Sequence, residues 1–458
     1  MDWQFDVKCQ KNYCLYLNTQ INQSMNLFEN TLKFNGFPID EAKVKLKKIK
    51  QISEDDYEAY IIKARQEIFE YHLENNPYYR KLVGTQNLTW ENIPVMTKRH
   101  LQKPLEERLS KDYTEKNVYI NKTSGSSGTP FIFAKDKFCH ALTWAEIIDR
   151  FGSLSISFNS SLQARFYGIP MDKKGYYKER LKDFFSQRYR FPVFDLSDKK
   201  LEGILDSFKR KKFEYINGYT SSIVLFAKYL KSKNIFLPDI CPTLKYCIVT
   251  SEMLFDDDKK LMEEVFGVPV INEYGASELD LLAFSNKKGD LEVNSRTIFV
   301  EILDDNDNPV PLGNPGRIVI TALYNKAHPM IRYELGDSGI LSRKSTFKNP
   351  ILEKLIGRTN DMAKLPSGKV VPGLTFYYVT KSIISNDGFV REFVIEQLKL
   401  DTFKIRYAAD KDLSSQEESV IEKAIFEYLE KDLKIIFERE DILKRTERGK
   451  LKQFVSLL

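Results

Sequence analysis

The sequence predicts an α/β protein in two parts: a large N-terminal α/β domain with parallel-type sheets over residues 1–357, and a small C-terminal α+β domain over 358–458. Three observations predict it. A strand–helix–strand pattern runs from Leu244 to Ile271, the signature of a βαβ crossover and hence of parallel pairing. After Gly357 the pattern becomes two strands, a helix and a strand within about a hundred residues, enough for a separate domain. At 458 residues and 42% hydrophobic content the chain can also bury a sizeable core.

The elements follow in order. Residues 53–83 begin Ser-Glu-Asp-Asp and carry Tyr57, Tyr60, Ile61, Ala64, Ile68 and Tyr71 near helical spacing, so they read as one amphipathic helix with an acidic first turn. The apolar run Val118-Tyr119-Ile120 reads as a strand leading into Thr123-Ser124-Gly125-Ser126-Ser127-Gly128-Thr129-Pro130, in which every residue is hydroxyl-bearing, glycine or proline. Lys209-Arg210-Lys211-Lys212 reads as the solvated face of a helix. Leu244 to Val249 is a buried strand, Asp256 to Phe266 a helix closed by Gly267, and Val268 to Ile271 a strand entering Asn272-Glu273-Tyr274-Gly275. Both glycine-bearing segments are expected at the C-terminal ends of parallel strands, where ligands bind in such sheets. Phe299 to Leu303 and Gly316 to Leu323 read as a further strand pair. Beyond a boundary near Arg358–Asp361, the expected strands are Phe389 to Ile395, Phe403 to Tyr407 and Leu433 to Phe437, with a helix over Ser415 to Leu429.

Composition narrows the function classes. A net charge of +6 is small for this length and argues against nucleic acid as a partner. The five cysteines form no Cys-x-x-Cys pair, and with four scattered histidines there is no zinc spacing. An odd cysteine count without a framework reads as reduced thiols. The N-terminus carries Asp2 and Asp6 without an apolar core, and no apolar run reaches membrane-span length. The expectation is a cytoplasmic protein without membrane insertion.

Hydroxyls and backbone N–H groups in the segment Thr123 to Thr129 suit phosphate oxygens, and Gly125 and Gly128 permit close backbone approach. No Gly-Lys-Ser/Thr follows, so this is not a Walker A loop. By itself the segment also fits a surface linker. Four later segments change that balance: Asn272-Glu273-Tyr274-Gly275-Ala276-Ser277-Glu278, Tyr333-Glu334-Leu335-Gly336-Asp337, Gly357-Arg358-Thr359-Asn360-Asp361 and Gly449-Lys450.

In this order the five segments resemble the adenylate-forming superfamily of acyl-CoA synthetases, peptide-synthetase adenylation domains and luciferases. Within it the chain is most similar to the phenylacetate–CoA ligase branch and its capsular-polysaccharide-biosynthesis relatives. That branch likeness rests on Asn75-Asn76-Pro77-Tyr78-Tyr79-Arg80, Ile93-Pro94-Val95-Met96-Thr97-Lys98, Asn217-Gly218-Tyr219-Thr220-Ser221-Ser222 and the ending Gly449-Lys450-Leu451-Lys452. The resemblance implies an acyl-CoA synthetase-like fold with a mobile C-terminal lid hinged at Asn360. It implies ATP and Mg²⁺ as requirements, a small carboxylic acid as substrate and coenzyme A as acceptor. Thr123, Ser124, Gly125, Ser126, Ser127, Gly128 and Thr129 would clamp pyrophosphate. Many family members carry a lysine there, where this chain has Thr129 and Phe131. Asn272, Glu273, Tyr274, Gly275 and Ser277 would line the nucleotide, Tyr274 stacking on adenine. Glu278 would ligate Mg²⁺, Asp337 would take the ribose hydroxyls, Arg358 would reach ribose or phosphate, and catalytic Lys450 would bridge the carboxylate and the α-phosphate.

Each residue also has a plainer reading: Glu278 as a helix-capping glutamate, Asp337 as a turn residue, Arg358 as a linker, Lys450 as one cation in a basic tail. Phe194-Asp195-Leu196-Ser197 looks like an amino-acid-binding motif, but Ser197 precedes a helical stretch and reads as its N-cap. His328 reads as structural. Three functions remain in competition: acid–thiol ligation, adenylation with transfer to an amine or hydroxyl in surface-polysaccharide synthesis, and non-catalytic nucleotide binding. Phe184 to Phe194 and Tyr219 to Ser222 are candidate walls of an acid pocket by the same resemblance.

Overall fold

A computed structural model of the chain describes residues 26–84, 88–123, 131–169, 173–194, 196–358, 362–372, 390–445 and 451–458. The first strands, β1 (Tyr119–Lys122) and β2 (Ile132–Lys135), form an antiparallel pair of their own. The Thr123–Pro130 segment therefore connects a hairpin and does not follow a strand of the parallel sheet. The apolar run upstream is too short to reveal its pairing partner, which lies beyond the loop.

The central sheet has seven strands: β3 (Gln163–Phe166), β4 (Arg188–Phe191), β5 (Tyr215–Tyr219), β6 (Tyr246–Thr250), β7 (Val270–Ala276), β8 (Asp280–Ser285) and β9 (Leu291–Val293). Their order is β4-β3-β5-β6-β7-β8-β9, parallel from β4 to β7 and antiparallel at β8 and β9. The βαβ unit expected between Leu244 and Ile271 is present. Its helix spans Asp256–Phe266 and ends on Gly267 in the left-handed region (φ 63°), where a Cβ would be strained. Successive strand residues point to opposite faces. Phe166, Ile216, Val249 and Val270 pack with helices 198–210, 220–232 and 256–266 on one face. Tyr215, Ile248 and Ile271 pack with helices 27–34, 39–50 and 137–153 on the other.

A second sheet, wholly antiparallel, comprises β10 (Ile298–Leu303), β11 (Pro315–Ala322), β12 (Tyr333–Leu341) and β13 (Leu352–Arg358). Arg332, 1% exposed, ties the segment before it to this sheet. Its guanidinium donates to the carbonyls of Ile93 (2.7 Å), Glu91 (3.1 Å) and Asp307 (3.1 Å). The Ile93–Met96 segment then lies parallel to the start of β12, with Met96 N–H on the Arg332 carbonyl (2.8 Å) and Glu334 N–H on the Met96 carbonyl (2.7 Å).

Strands β14 (Met362–Lys364) and β15 (Val370–Pro372) form a hairpin. Four more, β16 (Val390–Lys399), β17 (Thr402–Ala409), β18 (Lys434–Glu440) and β19 (Phe454–Ser456), form a sheet in the order β18-β17-β16-β19. Helix 415–428 covers it, started by a reciprocal capping box between Ser414 and Glu417. Two details depart from expectation. The helix over 53–83 breaks after Asn75, because Pro77 disfavours helical geometry at Asn76; the Asn76 side chain then caps a new helix over 77–83 by accepting the Tyr79 N–H. Ser197 occupies the N-cap of helix 198–210 without a side-chain capping bond. No described helix is long and apolar enough to cross a membrane.

Candidate active site

Of the residues singled out from sequence, Tyr274, Glu278 and Asp337 converge where β7 and β12 approach each other. Tyr274, in β7, donates its hydroxyl hydrogen bond to Asp337 Oδ2 of β12 at 2.7 Å. Tyr333, at the start of β12, donates to Glu278 Oε1 at 2.9 Å. Two side-chain bridges thus join the same two stretches of chain. Glu278 lies in the tight turn between β7 and β8, 5% exposed, rather than at a helix N-terminus. Asp337 lies inside a strand rather than in a turn, directly opposite Arg358 in the β12–β13 register. Gly336 immediately before it has φ 83°, a conformation that strains any residue with a Cβ. Gly275 serves the same hairpin differently: a Cβ there would lie 2.7 Å from the Asp280 carbonyl, so the turn needs glycine.

Thr123 brings the third motif to the same place. Its N–H donates to the Phe131 carbonyl (3.0 Å), and its Oγ1 accepts the Phe131 N–H (3.1 Å), closing the neck of the segment between them. The Phe131 ring packs edge-on against Tyr333, 6.3 Å between centroids, so this neck abuts the residue that holds Glu278. Asn272 donates its backbone N–H to Ser285 Oγ (3.2 Å), and Ser277 is exposed beside Glu278. Burial pushes the Glu273 carboxyl above the usual carboxylate range, while a hydrogen bond from Thr250 and the charge of Arg165 pull it back. Ser124, Gly125, Ser126, Ser127, Gly128, Thr129, Asn360, Lys450 and the Arg358 side chain lie outside the described residues. His328 is buried; burial and the adjacent Arg108 guanidinium hold its pKa well below the usual imidazole range.

Two side chains enter the constellation that sequence reasoning did not single out. Tyr333 stood in a quoted motif, yet only strand pairing shows that it meets Glu278. Glu252 follows β6 after Ser251, whose φ of 70° turns the chain sharply. Its carboxylate accepts the Ser221 N–H (2.7 Å) and, from the C-terminal segment, the Leu451 N–H (2.9 Å). Arg445 reinforces this contact, donating to Ser221 Oγ (2.9 Å) and pairing with Glu392.

No protein-family model matches the chain. Among curated proteins it is similar to protein CapK of Staphylococcus aureus, 24% identical over 352 residues, covering 72% of this chain and 74% of CapK. It is also similar to phenylacetate-coenzyme A ligase of Thermus thermophilus, 30% identical over 142 residues, covering 28% and 31% of the two chains. Among solved structures, 2-hydroxyisobutyryl-CoA ligase in its postadenylation state with 2-HIB-AMP superposes with a TM-score of 0.67 at 17% identity, over 86% of this chain and 88% of that one. The same ligase with 2-HIB-AMP and CoA in the thioesterification state gives 0.55 at 16% identity, over 89% and 90%. The architecture is therefore that of the acyl-CoA ligases. The chain thus shares its fold with these ligases and is similar in sequence to CapK and, over a shorter stretch, to phenylacetate-coenzyme A ligase.

Proposed function

We propose that this protein activates a small carboxylic acid with ATP as an acyl-adenylate and passes the acyl group to coenzyme A. The observation that carries the reading is the double bridge Tyr274–Asp337 and Glu278–Tyr333, with the neck of the Thr123 segment packed beside it. Three stretches far apart in sequence are held around one point, each with the groups that nucleotide handling needs. The substrate carboxylate attacks the α-phosphorus, the bond to the bridging oxygen breaks, and pyrophosphate leaves. The thiol then attacks the acyl carbon and AMP departs with the electron pair. Asp337 would accept the ribose hydroxyls, the Tyr274 ring would face adenine, and the hydroxyls and N–H groups from Thr123 to Thr129 would bind the β- and γ-phosphates. Positioning and charge stabilisation account for catalysis of this kind.

Mg²⁺ would fit Glu278. Among the described residues no three His, Cys, Asp or Glu form a metal site of their own, and Mg²⁺ beside a triphosphate takes one or two carboxylates and fills its shell with phosphate oxygens and water. The ion would neutralise phosphate charge; Glu278, oriented by Tyr333, would hold it. Glu278→Gln is expected to raise the Mg²⁺ concentration for half-maximal adenylation by about tenfold or more, because a neutral amide is a poor ligand for a hard dication. The Tyr333 bond to Oε1 survives in the glutamine, so thermal stability should hold. An unchanged Mg²⁺ titration would remove Glu278 from metal binding.

The division at residues 357 and 358 and the movable lid belong to the same reading. One ligase matches this chain to different degrees in two states, which supports a lid that changes position. A second reading keeps adenylation but replaces coenzyme A by an amine or hydroxyl of a surface polysaccharide. The likeness to CapK over 72% of the chain favours it. Pyrophosphate release from ATP and Mg²⁺ across a panel of acids, with and without coenzyme A, tests both. Thioester formation supports the first, acid-dependent pyrophosphate release indifferent to coenzyme A supports the second, and no acid-dependent release refutes adenylation.

A further inference from the structure

The central sheet carries a polar cluster across β3, β4 and β5, on the face opposite the helix 220–232 layer. Arg165 of β3 is in register with Asn217 of β5, and Arg188 of β4 with Gln163 of β3, so the two arginines share this face. The Arg165 guanidinium lies 3.9 Å over the Tyr167 ring, and Tyr167 packs on Tyr219 at 4.5 Å. Glu273 completes the rim.

The charges here do not balance. Arg165 has only long contacts, 3.4 Å to Asn217 Oδ1 and 3.5 Å to Gln163 Oε1. Arg188 forms no hydrogen bond or ion pair among the described residues, and the Nε atoms of both arginines and the hydroxyl of fully buried Tyr215 have no partner. Asp183, the carboxylate whose charge acts on Arg188, is held on both oxygens by Arg190, at 2.8 and 2.9 Å. Burial, and then the neighbouring Arg165, lower the Arg188 pKa to about 10. Two half-buried guanidiniums share this face and repel one another, and the carboxylate that answers Arg165 among the described residues is Glu273, so the pair is costly unless an anion joins it. A guanidinium pair is the geometry that binds a carboxylate or phosphate through paired N–H bonds.

The cluster adjoins the reaction site. Glu273 is peptide-bonded to Tyr274, which holds Asp337; Arg165 lies towards the C-terminal, ligand-binding end of β3, and Arg188 is one pleat back, at the start of β4. Arg188 falls within the aromatic stretch Phe184 to Phe194, and Tyr219 begins the second stretch expected to wall the acid pocket. Resting on the acid-activation reading above, we propose that the acid carries a second anionic group, a carboxylate or a phosphate, that binds between Arg165 and Arg188. A chain that activated phenylacetate-like acids would line this end with apolar side chains instead.

The test pairs acids that differ in that group: butyrate with succinate, valerate with glutarate, lactate with 3-phosphoglycerate. The purified full chain should release pyrophosphate with at least one dianionic member roughly thirtyfold or more faster than with its neutral-tailed partner, and Arg188→Met should abolish that preference. Which dianion is preferred separates carboxylate from phosphate. Melting temperature supplies a readout without catalysis: the preferred dianion should stabilise the parent chain and not Arg188→Met, whose own melting temperature should stay level or rise as an unpaired buried charge is removed. Equal rates and equal stabilisation within every pair would overturn the proposal while adenylation stands. Dianion-specific stabilisation without pyrophosphate release from any acid would support the anion site and refute adenylation instead.

Discussion

Lys450→Ala is expected to slow acyl-adenylate formation by about two to three orders of magnitude while leaving ATP affinity and melting temperature near those of the parent chain. The lysine would act on charge that develops as the carboxylate oxygen approaches phosphorus, so its removal should appear in the rate and not in ground-state binding. Lys450 itself lies outside the described residues, but the residue after it is well placed. Leu451 is buried, and its N–H donates to Glu252 Oε1 at 2.9 Å, while Glu252 Oε2 accepts the Ser221 N–H at 2.7 Å. Leu451 therefore lies at the ends of β5 and β6, the end of the sheet that also carries Glu273 and Tyr274. Rapid-quench measurement of acyl-AMP in a single turnover, beside equilibrium ATP binding, checks the expectation. Adenylation at the parent rate would take Lys450 out of the mechanism.

What could be read in the sequence and what could not divide along the range of the interactions. The helix 256–266 was legible because its start, its apolar spacing and its closing Gly267 are all local. The helix 415–428 was legible from apolar spacing on one face, and its capping box is local too. Tyr274, Glu278 and Asp337 were legible as motifs, since each stands in a short recognisable string. Their mutual geometry was not, because Tyr274 meets Asp337 across 63 residues and Glu278 meets Tyr333 across 55. The final strand β19 escaped notice because three residues carry no period, and its parallel pairing with β16 joins segments far apart. Arg165 and Arg188 carried no signal for a similar reason. An arginine in an apolar run reads as an edge or surface position until the register puts Arg165 and Arg188 on one face of neighbouring strands.

Glu252→Ala is expected to slow adenylation by about ten- to a hundredfold and to leave acyl transfer from preformed acyl-adenylate at the parent rate or faster. Hydrogen bonds to a charged acceptor contribute roughly 1.5–3 kcal/mol each, and this carboxylate accepts two, one from each side of the contact. Arg445 bonds Ser221 and pairs with Glu392, and Lys228 donates to the Arg391 carbonyl at 3.0 Å, so the arrangement survives the substitution but is held less firmly. If the lid turns between the two chemical steps, the Glu252–Leu451 bond exists in the first arrangement and must break for the second. Weakening it then penalises only the step that uses it, because a contact can shift an equilibrium only by its different strength in the two states. Glu252→Gln should fall between the parent and the alanine variant, since one amide oxygen can still accept one N–H. Single-turnover rates for the two steps, measured separately in all three proteins, decide the matter. An equal loss in both steps would mean that this contact supports the fold alone and does not distinguish one arrangement of the lid from another.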